Sequence, residues 1–229
     1  MPELPEAAKD RLQQDYGLDA YTASVIAGDP PAIRIYDEAV QAAHDNLLLL
    51  LSSRDSSTSE SLLSKDVPNT VANLLCNELF YHIRDEEERR REMEGGYDVR
   101  GDVPYSTVNG QQLGEVAALQ LHGTISTTMS RKLLYILYHE EHGRKPSQVA
   151  KERGLQLIED SQTLRTICRE TIDQHPDSLE QYKKGGKHVI KMKKFLVGKS
   201  MAHSRGNAHP ERLHEALEEV LEELAPGVE

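Results

Sequence analysis

Aromatic residues make up only 5% of this chain, and runs that alternate Val, Ile and aromatic side chains are missing. Strands draw on those residue types with a period of two, so no sheet is expected. Long apolar runs are missing too: the longest is the five leucines Leu47 to Leu51, against the roughly 20 residues a helix needs to cross a bilayer. A membrane-spanning helix is therefore excluded. Cysteine is scarce, and Cys76 and Cys168 stand far apart in no metal-ligand spacing. A disulfide framework and a zinc site are both set aside, and a reducing compartment is the natural home. The opening Met1-Pro2-Glu3-Leu4-Pro5 is acidic and has neither the Arg-rich character of a mitochondrial presequence nor an apolar secretory core. If the protein is imported, its address is expected upstream.

What the chain does have is helical periodicity. Apolar residues recur at three- and four-residue spacing at Leu213, Leu217, Val220, Leu221 and Leu224, and again at Leu164, Ile167, Cys168 and Ile172. The expected fold class is all-α. Helices are predicted near residues 5 to 16, 19 to 27, 30 to 51 and 68 to 93, with Ser52 to Ser64 read as a flexible Ser-rich insertion. Gly95 to Gly110, with Pro104 inside it, is the best linker by its turn formers. The chain thus divides into a helical domain over 1–94, a linker over 95–110 and a second helical domain over 111–229. Within the second domain, turns are expected at Gly123, Gly143 to Pro146, Gly154, Pro176, Gly185-Gly186 and Gly206 to Pro210.

The net charge of −11 argues against a nucleic-acid partner, since phosphate binding rests on Lys and Arg displacing condensed counterions. That average hides an asymmetry. Residues 181 to 210 hold Lys183, Lys184, Lys187, Lys191, Lys193, Lys194, Lys199 and Arg205 without one Asp or Glu, a local charge of +8. Helical spacing puts Lys187, Lys191, Lys193 and Lys194 on adjoining faces, while Val189, Met192 and Leu196 supply the buried side. The plainer reading is a solvated face that offsets acidic neighbours.

Other signals are weaker. Gly198-Lys199-Ser200 resembles the end of a phosphate-cradling loop, but Lys193 stands where its first glycine belongs and no strand precedes it. His139 and His142 are spaced to share a metal ion if a third ligand arrives from elsewhere, though a wet helix C-terminus suits them better. Asp85 to Glu92 alternates charge blocks as a solvated helix does. Ser147 to Leu155 resembles the first helix and turn of a helix-turn-helix, with a recognition helix expected over Gln156 to Ile167, where Glu159 and Asp160 would repel DNA. No nucleophile sits on a sharp turn or glycine-rich loop, so no catalytic residue is assigned. A binding module follows, with a DNA-binding regulator and a structural protein-interaction module as alternatives.

Several separated motifs resemble one family in its own order. They are Leu4 to Arg11 with Tyr16-Gly17-Leu18 and Tyr21; Val71 to Leu75 with Glu78-Leu79; Gly123-Thr124-Ile125-Ser126; Gly154-Leu155; His175-Pro176 with Tyr182; Phe195 to Met201; and Gly206-Asn207-Ala208-His209-Pro210. Together they resemble the C-terminal part of the B-type (GatB) subunit of the glutamyl-tRNA(Gln)/aspartyl-tRNA(Asn) amidotransferases, a helical domain followed by a YqeY-like tail. The resemblance implies a ligase that turns Glu-tRNA(Gln) into Gln-tRNA(Gln), with the A-type subunit releasing ammonia from glutamine. It implies that ATP and Mg²⁺ act in an N-terminal cradle not contained here, and that this chain holds no cofactor. The partners it implies are tRNA(Gln), the A-type amidotransferase subunit, and a small C- or F-type subunit, with no membrane and a mitochondrial matrix location. The insertions at 52 to 64 and 85 to 104 point the same way, toward a eukaryotic organellar source such as a fungal one. Carried over by position, the tRNA-binding residues would be Lys187, Lys191, Lys194, Lys199 and Arg205. Thr128 stands near where relatives often have Lys, and Lys199-Ser200 replaces a usual Gln-Val. Gly198 and Gly206 are read as turn or close-packing residues.

Overall fold

A computed structural model describes residues 3–52, 67–93 and 105–228. The described residues form helices and no strand, as expected; the one β-type contact is an isolated bridge between Ile158 and Ala208. The chain divides into two compact units, Met1–Leu155 and Gln156–Glu229. That division lies downstream of the 95–110 segment marked by its turn residues, of which 95–104 falls outside the described residues, as does nearly all of the Ser-rich 52–64 stretch.

The first unit begins with α1 (Pro5–Tyr16), whose first turn holds a proline where its missing N–H costs nothing. Gly17 ends it in the left-handed region at φ 68°, and the Gly17 and Leu18 amides donate back to the Gln13 and Leu12 carbonyls, closing the helix end. Asp19 then caps α2 (Ala20–Ala27) by accepting from the Tyr21 and Thr22 amides. Helix α3 (Pro30–Ser52) lines its buried side with Ala32, Ala39, Ala42 and Ala43 beside Tyr36, Val40 and Leu47. Helical residues 67–73 lead into a π-helical turn, Leu74–Leu79, and then α4 (Phe80–Met93). In that turn the Phe80 amide reaches the Leu75 carbonyl five residues back, a register the apolar pattern does not announce.

Helix α5 (Gly110–Leu121) is held at its start by a reciprocal cap: the Asn109 side chain accepts from the Gln112 amide, and the Gln112 side chain accepts from the Asn109 amide. It packs on α3 closely enough that a Cβ on Gly114 would lie 2.4 Å from the Ala39 carbonyl oxygen and 2.7 Å from the Ala42 Cβ. The small residues of both helices permit this approach, and it ties α5 to the α1–α3 group.

Helix α6 (Thr127–His139) follows, capped by Ser126, and then the short α7 (Pro146–Glu152). The start of α7 is satisfied by Glu115, which accepts from the Ser147 amide at 3.1 Å. Arg153 and Arg144 bind the Glu140, Glu141 and Glu152 carboxylates around the intervening turn.

His139 closes α6, while His142 stands exposed in the turn beyond the helix end. They therefore do not share a helix face. His139 turns instead to His82 of α4, with Nε2 and Nδ1 3.2 Å apart, in an aromatic group with Tyr135 and Tyr138.

In the second unit, Asp160 caps α8 (Ser161–Gln174) through the Thr163 amide and hydroxyl. Helices α9 (Pro176–Lys183), α10 (Lys187–His203) and α11 (Pro210–Leu224) follow. Leu164, Cys168 and Ile172 of α8 meet Tyr182, Met192 and Leu196 and the Leu213–Leu217–Val220–Leu221 side of α11 in one core. Ile158 is sewn to the following loop by its amide donating to the Asn207 carbonyl and its carbonyl accepting from the His209 amide. Outside the core, Arg165 and Arg169 pair with Glu219 and Glu223 across α8 and α11. Leu224, expected on the buried stripe, is exposed at the helix end.

Gly114→Ala places a methyl against backbone that cannot step aside, so an overpacking loss of about 1–3 kcal/mol is expected in chemical denaturation. An unchanged midpoint would contradict the close crossing. His82 is 8% exposed, and its burial together with the neighbouring His139 holds the imidazole below its usual 6.5, against a weaker opposing pull from Asp85. The unfolded chain therefore takes up a proton that the folded chain refuses. Stability is full above the ordinary histidine value and falls as pH drops through it toward the depressed folded value. Thermal unfolding between pH 8 and 5.5 should show that decline, and His82→Phe should flatten it; equal slopes would refute the assignment.

Candidate nucleic-acid interface

The acid-free segment becomes the end of α9, a two-glycine turn, helix α10 and the loop that follows it. Gly185 and Gly186 sit at φ 71° and 61°, which lets the chain reverse into α10 over two residues. Met192, Leu196 and Ser200, one turn apart, face the core, and Leu196 has no exposed surface. Everything about the basic face follows from that anchoring. Lys187, Lys191 and Lys194 recur at spacings of four and three on the opposite side, where all three are exposed.

Lys193, one residue from Lys194, lies on a different face. It is half-buried and donates to Glu218 of α11 at 2.8 Å, which raises the lysine's pKa and lowers the carboxyl's. Among the described residues no ion pair engages Lys187, Lys191 or Lys194. Their ammonium groups thus point outward without a carboxylate to neutralise them. Lys199 lies farther round the helix, its Nζ 5.5 Å over the centre of the Phe195 ring. Phe195 in turn meets the His175 ring edge-on and stays 39% exposed. Arg205 is exposed after the end of α10 and takes a left-handed backbone at φ 54°, followed by Gly206 at φ 76°. Lys183 and Lys184, at the end of α9, are exposed as well.

The structure therefore brings Lys187, Lys191 and Lys194 onto one line, sets Lys199 beside it on an aromatic ring, and leaves Arg205 beyond the helix end. The two glycines separate. Gly206 is the expected turn residue. Gly198 is neither a turn nor a close-packing residue: it lies inside α10, exposed, with nothing among the described residues within 4 Å of where a Cβ would stand. A glycine there costs the helix about 1 kcal/mol relative to alanine, and no neighbour in the chain accounts for it. Its position on the lysine side follows from its spacing from Leu196 and Lys194, whereas the open space over it depends on packing that the sequence does not encode.

The rival readings fare differently. Ser200 is fully buried and faces the core, and Gly198-Lys199-Ser200 lies inside a helix, so these residues do not form a phosphate-cradling loop. Residues 153–160 separate α7 from α8, and the two helices belong to different units. A helix-turn-helix requires a turn of about 3–4 residues, so residues 147–167 do not form one. The basic face supplies point charges, and contacts of that kind to a nucleic-acid backbone carry little base information.

Residues 58–221 match the GatB domain family. The chain is 30% identical over 226 residues to the B-type subunit of the mitochondrial glutamyl-tRNA(Gln) amidotransferase of Phytophthora infestans, covering 97% of this chain and 33% of that protein. It is 28% identical over 221 residues to the B-type subunit of the aspartyl/glutamyl-tRNA(Asn/Gln) amidotransferase of Roseiflexus castenholzii, covering 96% of this chain and 39% of the relative. The Thermotoga maritima protein of the same description is 24% identical over 222 residues, with 97% and 38% covered. The chain thus spans a third to two fifths of the length of these relatives.

Proposed function

The chain belongs to the GatB domain family, and from that premise we propose that it is the tRNA-gripping part of an aminoacyl-tRNA amidotransferase that converts Glu-tRNA(Gln) to Gln-tRNA(Gln). The observation that carries this reading is the line of exposed, unneutralised lysines on α10 in a chain of net charge −11. Such a line suits phosphates. Folded RNA is held largely through its shape and backbone rather than through base edges, and lysines on flexible stems serve that purpose as compact point charges. Lys199 and Arg205 extend the grip at its margins.

In this role the chain contributes binding and leaves the bond-making elsewhere. The A-type subunit would supply ammonia from glutamine, a small C- or F-type subunit would complete the assembly, and ATP with Mg²⁺ would activate the glutamyl end. Gly198-Lys199-Ser200 lies inside a helix with Ser200 buried, so no step of that chemistry is assigned to these three residues. The mitochondrial description of the Phytophthora infestans relative supports a matrix location.

Binding of the chain to tRNA(Gln) and to a DNA duplex of similar charge, followed across a salt series, tests the reading. Preference for tRNA is expected. Changing Lys191, Lys194 and Lys199 together to Glu should remove it and flatten the slope of log affinity against log salt by about 0.7–0.9 for each phosphate no longer engaged. Equal binding to both polymers would overturn the proposal and leave a general polyanion-binding face, and binding to neither would overturn it and leave a protein-interaction module.

A further inference from the structure

We infer that Gly198 is the point at which the RNA sugar-phosphate backbone comes closest to this protein, an inference that rests on the tRNA-binding reading and names one of its contact residues. Three observations meet at this position. First, the glycine lies in the interior of a regular helix, without the positive φ that would require it. Second, the space over it is open, so it serves no packing among the described residues. Third, it falls four residues after Lys194 and seven after Lys191, on the outward line those lysines define, with Lys199 next to it.

The missing side chain lets a partner's backbone approach the helix more closely than any other residue would allow. What can approach is limited by the charges around it. A second copy of α10 would bring Lys187, Lys191 and Lys194 against themselves, and an apolar helix would strand their charges. A polyanionic backbone meets neither obstacle: its phosphates would lie beside Lys191, Lys194 and Lys199, and its sugars over the bare helix at Gly198. The lysine side chains, long and jointed, reach phosphates only if the backbone is held near the helix surface. In that way the glycine sets the distance at which the lysines work.

Gly198→Ala and Gly198→Gln test this in the full chain, alongside the lysine triple variant. Both residues favour helix over glycine, so thermal unfolding should show a melting temperature equal to or above the wild type's. Affinity for tRNA(Gln) should nonetheless fall, modestly for Ala and about tenfold or more for Gln, a drop comparable to removing one or two phosphate contacts. If Gly198→Gln binds tRNA like the wild type while the lysine variant does not, the inference falls and the functional reading stands. If the wild type does not bind tRNA, both fall. If Gly198→Gln spares tRNA but prevents assembly with the other amidotransferase subunits, Gly198 is a protein-docking position and the inference is overturned.

Discussion

The burial of Leu196 and Met192 decides which way the lysines of α10 point. Each apolar side chain of this kind contributes about 1.5–3 kcal/mol when buried, whereas an ion pair still open to solvent, such as half-buried Lys193 with Glu218, contributes about 0–1 kcal/mol. The apolar side of the helix therefore fixes its roll, and the charges take the positions left to them. Lys193 falls toward α11 and finds Glu218; Lys187, Lys191 and Lys194 fall outward. A core made by α8 and α11 thereby orients a surface made by α10, and the basic face inherits the stability of the unit that carries it.

The charge pattern follows the same division. Three of the carboxylates of α11 are engaged by basic residues of their own unit: Glu218 by Lys193, Glu219 by Arg165, and Glu223 by Arg165 and Arg169. Pairing inside the unit offsets part of the negative charge of α11, while Lys187, Lys191 and Lys194 keep their positive charge. In the first unit the controlling constraint is steric. Gly114 against the Ala39–Ala43 stretch sets the spacing of α3 and α5, and the reciprocal cap at Asn109 sets where α5 begins.

Much of this was legible in the sequence, because periodicity and charge are properties of a chain. The extents of α1, α3 and α11 follow from prolines, glycines and apolar spacing, and the outward lysines follow from their distance along the helix from Leu196. Other features arise only from contacts. The π-helical turn at Leu74–Leu79 shifts the register by a single residue, too little to disturb an apolar pattern already dense in leucine. The boundary of the units after Leu155 lies where no glycine or proline cluster is stronger than its neighbours, since Gly114 locks the downstream helix α5 to α3. The open space over Gly198 and the pairing of Lys193 with Glu218 depend on which helix packs where, and spacing along one helix does not encode that. His139 and His142 illustrate the converse: their spacing suggests a shared face, and the helix stops between them.

Protection of lysines from acetylation, read by mass spectrometry with and without tRNA(Gln), reports which face of the chain meets the RNA. If α10 grips the RNA, tRNA shields Lys187, Lys191 and Lys194, with Lys199 beside them, while Lys132, Lys145 and Lys151 of the first unit keep their reactivity. Unaltered reactivity along α10, or protection confined to the lysines of the first unit, would contradict that grip.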